Sequence, residues 1–220
     1  MEQDFWHNVW QKNTIGFHQG EIHPFLDSHI QSLIPSINES IFVPFCGKSK
    51  DMLWLNQFGT VVGAELSEIA CRDFFEENNL DYAKTTDELT ELSEFNSVDH
   101  QISLWQGDFF NLTTQHLSTN FSFIYDRAAL IALPRAMRSR YVEKLKEFMS
   151  KETQLLLVSL EYPENEMSGP PFPVDTSEVS ELFKGFQVEE LGQLNLTGKK
   201  FTQRLFDVSR LVEKLYLIRK

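Results

Sequence analysis

The chain has little of what would tie it to an oxidising compartment, a nucleic acid or a membrane. Only two of its 220 residues are cysteines, Cys46 and Cys71, so no disulfide framework is in prospect and a reducing, cytoplasmic setting is expected. Positive charge is short: 20 Lys and Arg against 32 Asp and Glu leave a net charge of −12. That balance disfavours nucleic acids and anionic membranes, which attract basic patches. No apolar run approaches the ~20 residues of a membrane span. The opening MEQDFWHNVW is polar and acidic, unlike a secretory leader. The Asn-x-Ser/Thr triplets at 38–40, 111–113 and 195–197 then read as coincidences. A small-molecule substrate, no nucleic acid, no membrane and a monomeric state are expected.

Several signature loops are missing as well. Gly47-Lys48-Ser49 imitates the end of a phosphate-cradling G-x-x-x-x-G-K-S loop, but Phe42 stands where its first glycine belongs. A dinucleotide loop needs three glycines so that the backbone can approach a pyrophosphate, and residues 45–50 hold one. No G-x-S-x-G elbow occurs, which disfavours a serine hydrolase. His23 and His29 would not share a helix face as an H-x-x-x-H pair does, so no metal is expected. Cys46 reads as a small buried strand-end residue, with no Cys–His arrangement legible nearby.

What is present is organised around residues 40–68. Ile41-Phe42-Val43-Pro44-Phe45 is a short apolar run stopped by Cys46-Gly47, which predicts a buried strand ending in a turn. Ser49 can cap a helix over 50–57, and residues 60–66 form a second β-rich run carrying Glu65 near its end. A strand, a crossover helix and a parallel strand make a right-handed unit whose ligand site lies beyond the carboxyl ends of the strands. There the turn at Gly47 offers backbone N–H groups, and Glu65, 18 residues on, can accept hydrogen bonds from a ribose diol. The plain alternative for Glu65 is a solvated residue at a strand end. A ligand with adenosine but no phosphate suits this loop better than ATP or a dinucleotide.

The remainder extends an α/β pattern. Phe5, Trp6, Val9 and Trp10 share a helix face, and the loop 13–20 carries Phe17 and His18, so residues 1–35 are either a helix packed plainly on the core or a helical lid over a core spanning 36–220, in a single domain. Pro24 opens a helix to about residue 33, and Ser67 caps one over 68–78. Residues 81–99, rich in Thr, Glu, Asp and Ser, read as a mobile surface excursion. Strands are expected over 102–106, 121–126, 155–160, 186–194 and 211–218, and a helix over 134–149. Asp108 follows the third strand, where it either caps a turn or accepts from an adenine amino group with Phe109 against the ring. Asp126 and Arg127 stand at the tip of the fourth, as functional groups or as a plain ion pair. Pro170, Pro171 and Phe172 lie in a stiff loop at the same end of the sheet, a wall for a substrate pocket.

Taken in order, Trp6…Trp10…Phe17-His18, Val43-Pro44-Phe45-Cys46-Gly47-Lys48, Val62-Gly63-Ala64-Glu65-Leu66-Ser67-Glu68, Gly107-Asp108-Phe109-Phe110, Asp126-Arg127-Ala128-Ala129-Leu130 and Gly169-Pro170-Pro171-Phe172 closely resemble the thiopurine S-methyltransferase family over essentially the whole chain. The resemblance implies a Rossmann-like methyltransferase. Its sheet would have seven strands, mostly parallel with the last antiparallel, helices on both faces, and S-adenosylmethionine as cofactor, released as S-adenosylhomocysteine. It implies that Trp6, Trp10, Phe45, Gly47, Glu65, Leu66, Asp108, Phe109 and Arg127 line the cofactor site. Phe17, His18, Arg127, Pro170, Pro171 and Phe172 would border the acceptor, with Arg127 favouring a thiolate and Asp126 orienting it. The family often has Leu at Phe45 and Val at Ala64. The activity expected is S-methylation of aromatic or heterocyclic thiols, with selenium or tellurium species as further acceptors. The alternatives are a thiol or halide methyltransferase of the same superfamily, an NAD-dependent oxidoreductase, and a non-catalytic adenosine-binding module.

Overall fold

The computed structural model describes residues 3–34, 38–117, 120–202 and 204–220. Along the chain run α1 (Gln3–Gln11), α2 (Pro24–Leu33), β1 (Glu39–Pro44), α3 (Asp51–Leu55), β2 (Gly59–Glu65), α4 (Glu68–Glu77), β3 (Tyr82–Asp87), β4 (Leu92–Ser97) and β5 (Ile102–Gln106). Then follow α5 (Thr114–Leu117), β6 (Phe121–Arg127), α6 (Arg135–Lys146), β7 (Met149–Glu161), α7 (Thr176–Leu182), β8 (Gln187–Asn195), β9 (Lys200–Phe201), β10 (Arg204–Leu205) and β11 (Val212–Arg219).

Period-2 alternation in the apolar runs builds two cores, one on each face of the sheet. Phe42, Val62, Ile124, Leu155 and Leu157 pack on one side, with Tyr141, Val142 and Leu145 of α6 and Val179 of α7. Ile41, Val43, Val61, Phe123, Leu156 and Val158 pack on the other, with Leu26 and Ile30 of α2, Met52 and Leu55 of α3, and Phe74 and Phe75 of α4. The strand order is β3-β4-β5-β2-β1-β6-β7-β11-β8, and β5, β2, β1, β6 and β7 run parallel. The chain leaves β1 toward β2 and β5, then returns to β6 on the other flank. This reversal opens a crevice at the carboxyl ends of β1 and β6. β11 is antiparallel to both β7 and β8, between which it lies.

Among the described residues all seven expected strands are present, and two more join them in the main sheet. Residues 81–99 are not a mobile excursion but the hairpin β3–β4, paired from Tyr82 opposite Ser97 to Asp87 opposite Leu92. Three aromatics hold it: Tyr82 lies 5.4 Å from Phe95 and 4.9 Å from Phe75. The helix expected over 134–149 stops at Lys146, and Met149 begins β7. The boundary placed between lid and core at 35–36 lies outside the described residues.

Candidate active site

The turn after β1 must bring backbone N–H groups to the tip of β2, and it does so through left-handed backbone at Phe45 (φ +48°) and Gly47 (φ +53°). Gly47 has a second reason to lack a side chain, since a Cβ there would meet the Trp10 ring. Its N–H donates to Glu65 Oε2 at 2.9 Å, while the Ser67 N–H donates to Oε1 at 2.7 Å. Glu65 is only 7% exposed, and burial outweighs these two hydrogen bonds, pushing its pKa up to about 7.

After β5, Gly107 (φ +135°) makes the bend that presents Asp108. Asp108 Oδ1 accepts the Phe110 N–H at 2.9 Å, and Oδ2 accepts from Gln3 Nε2 of α1, also at 2.9 Å. The first helix is therefore tied to the far tip of the parallel sheet. The rings of Trp6 and Trp10 meet Phe17 edge-on at 5.6 and 5.7 Å, and Trp10 and Ile15 pack with Ala70 of α4.

These groups line a cavity of about 550 Å³. Every residue expected at the cofactor site borders it: Trp6, Trp10, Phe45, Gly47, Glu65, Leu66, Asp108, Phe109 and Arg127. Of the acceptor set, Phe17, Arg127, Pro170 and Pro171 border it too. His18 lines instead an adjoining chamber of about 40 Å³, together with Lys48, Ser49, Asp51 and Tyr125; Trp10, Phe17, Phe45 and Arg127 belong to both. Burial, then the Lys48 charge, lowers the His18 pKa. Lys48 is itself paired with Glu77 at 2.6 Å.

Two expected residues stand elsewhere. Phe172 lines neither cavity; its N–H donates to the Ile131 carbonyl at 2.7 Å and docks the proline loop. Asp126, expected to orient the acceptor, is wholly buried and lines neither cavity. Its oxygens accept the Tyr141 hydroxyl at 2.6 Å and the Leu130 N–H at 3.1 Å, and burial pushes its pKa up to about 6. It anchors the turn after β6 to α6. Arg127, one residue on, points the other way, with Nη2 3.4 Å from the Phe17 carbonyl.

Sequence reasoning missed part of the wall. Met137 and Arg140 reach it from α6, where the Arg140 guanidinium lies 3.9 Å above the Phe110 ring. The β9–β10 hairpin contributes Phe201, Thr202, Arg204 and Phe206, and the Thr202 hydroxyl donates to the Gly16 carbonyl in the loop after α1. The legible signal was the pair of phenylalanines, Phe201 and Phe206, in a connection made mostly of polar and charged residues. Among the described residues no group of three or more His, Cys, Asp or Glu could hold a metal, and no helix is long and apolar enough to cross a membrane.

Comparison with known proteins adds three findings. A family model described as thiopurine S-methyltransferase matches residues 1–220. A thiopurine S-methyltransferase of Pseudomonas aeruginosa is 44% identical over 225 residues, covering 100% of both chains, and one of Vibrio campbellii is 39% identical over 220 residues, covering 99% of this chain and 98% of the relative. The solved magnesium protoporphyrin IX methyltransferase of Synechocystis with bound S-adenosylhomocysteine superposes with a TM-score of 0.64 at 13% identity, covering 99% of each chain, a likeness of fold.

Proposed function

The chain belongs to the thiopurine S-methyltransferase family, and on that premise we propose how its site performs S-methylation of aromatic and heterocyclic thiols. It is an S-adenosylmethionine-dependent methyltransferase. The observation that carries the site reading is the convergence of Glu65, Asp108 and Arg127, from three strand tips, on one largely apolar cavity closed by α1. Its volume lies within the roughly 300–1,000 Å³ of small-molecule sites.

The residues fit the cofactor. A carboxylate offers about four lone-pair sites; the Gly47 and Ser67 N–H groups engage one on each Glu65 oxygen, and acceptor capacity remains for a ribose hydroxyl. Asp108 would accept from the adenine amino group, with Phe109 and Leu66 as the apolar lining beside the ring. Trp6, Trp10, Phe45 and Gly47 border the methionyl portion. S-adenosylmethionine, when bound, supplies an already activated sulfonium methyl, so the protein's tasks are alignment and exclusion of water.

Phe17, Pro170 and Pro171 form the acceptor walls, while His18 and Phe172 act from behind them, on the adjoining chamber and the loop anchor. The Arg127 guanidinium favours the thiolate of the acceptor by its nearby positive charge. Asp126 keeps the β6 tip in place and does not touch the acceptor. α1 and the loop that follows it serve as the lid of a single domain. Selenium and tellurium species are further soft acceptors, and the setting is the cytoplasm, with detoxification and tellurite resistance as roles.

Transfer of labelled methyl from S-adenosylmethionine to 6-mercaptopurine, beside iodide and selenite, tests the reading. Turnover of the thiopurine well above iodide is expected, because a small anion leaves most of the cavity unfilled. Preference for iodide would overturn it in favour of a halide methyltransferase, and calorimetric binding of NAD but not S-adenosylhomocysteine would overturn it altogether.

A further inference from the structure

The cation on which thiolate formation depends is itself held, and the holder lies outside the main cavity. Arg127 is nearly buried, its side chain 11% exposed, and among the described residues Asp51 is the acid within ion-pair distance, Nη1 to Oδ2 3.7 Å. Asp51 stands in the first turn of α3 and is itself almost wholly buried. Its Oδ1 accepts the His23 N–H at 2.9 Å, and its Oδ2 accepts the Tyr125 hydroxyl at 3.3 Å. Tyr125 and Arg127 are two residues apart on β6 and so share a face, the one opposite Asp126. His23 caps α2, with its ring Nε2 3.1 Å from Glu213.

One carboxylate thus joins α3, the tip of β6 and the stretch between the lid loop and α2. The second anchor of Arg127 is the Phe17 carbonyl in that same loop. A buried guanidinium without a counter-charge is costly and turns toward whatever acceptor it finds, whereas one fixed between a carboxylate and a carbonyl keeps a single direction.

We propose that Asp51 is a positioning residue for methyl transfer, holding the Arg127 guanidinium at the wall between the two chambers where it meets the acceptor sulfur. This rests on the thiol-methylation reading above. Asp51 lines only the small chamber, so its effect passes through Arg127.

The test is a double-mutant cycle with 6-mercaptopurine as acceptor, reading kcat, KM and the affinity for S-adenosylhomocysteine. Asp51→Asn keeps an oxygen for the His23 N–H and removes the charge. It is expected to lower kcat/KM about 20-fold or more, as a displaced orienting group does, and to change S-adenosylhomocysteine affinity by less than about 3-fold. Asp51→Asn combined with Arg127→Ala is expected to be no slower than Arg127→Ala alone, because the two act as one unit. A merely structural Asp51 would lose activity multiplicatively with Arg127; that result, or a kcat/KM for Asp51→Asn within about 3-fold of wild type, overturns the proposal. If Asp51→Asn does not fold, Asp51→Glu replaces it: the charge is kept but displaced by one methylene, and full retention of kcat/KM would be as decisive against the idea. Wild-type protein that transfers no methyl to the thiopurine removes the underlying reading instead, before any variant is compared.

Discussion

Two of the lone-pair sites on Glu65 are engaged by the Gly47 and Ser67 N–H groups, and burial still leaves its pKa at about 7. The consequences for folding and for binding have opposite signs. Because the folded value lies above the ordinary 4.5, protons favour the folded state: this contribution to stability is fully present below about pH 4.5 and is lost as pH rises through 7. In the role proposed for Glu65 the ribose hydroxyls donate, so the ionised form, which only accepts, binds the ligand better. Calorimetry is expected to show S-adenosylhomocysteine affinity rising between pH 6 and 8, and Glu65→Gln is expected to lower the affinity at pH 8 and flatten that rise. Asp126 carries a different risk. Tyr141→Phe would leave its buried Oδ2 without the hydroxyl, and urea unfolding is expected to show a loss of about 1–3 kcal/mol, with turnover reduced far less than by Arg127→Ala. That Asp126 and Arg127 part company was implicit in the sequence, since neighbours on a strand face opposite sides. Reading both as functional because both stand at the tip neglected that alternation.

The first helix is held over the cavity by few contacts. Gln3 bonds Asp108, Trp6 and Trp10 meet Phe17, and the apolar cluster of Trp10, Ile15 and Ala70 beneath is small. Gln3→Ala is expected to speed amide hydrogen exchange over 3–11, read by mass spectrometry, while exchange in β1 and β6 stays unchanged. Gln3 bonds the same Asp108 that is proposed to take the adenine amino group, so on that reading bound S-adenosylhomocysteine is expected to alter exchange in this same helix. The strands that carry the site were legible because they are apolar on both faces, as in Ile41-Phe42-Val43 and Leu155-Leu156-Leu157-Val158. The hairpin β3–β4 was not: β3 is a sheet edge, and four of its six residues are exposed. Tyr82, Leu92 and Phe95 are its large inward-facing residues, too sparse a pattern to outweigh the surrounding acids. Much the same holds for β9–β10, whose two-residue strands have no periodicity to read.

Across the whole molecule the two edges of the main sheet carry charge. On β3 Lys84 pairs with Glu68 at 2.6 Å, and on β8 Glu189 and Glu190 pair with Arg219 and Lys214 at 2.7 and 3.2 Å. Charged edges and a net charge of −12 both oppose strand-to-strand association between copies. Light scattering at physiological salt is expected to give the mass of one chain, 25.6 kDa, and a dimer would show that some other surface prevails. The position of β11 bears on biosynthesis. Residues 212–219 fill the slot between β7 and β8, so among the described residues β8, though made earlier, has no partner in the main sheet until β11 has left the ribosome. A premature stop codon ahead of Val212 would therefore strand β8 and bare the flank of β7, leaving a product for proteases to clear although the codons for every described residue lining the cavity had been read.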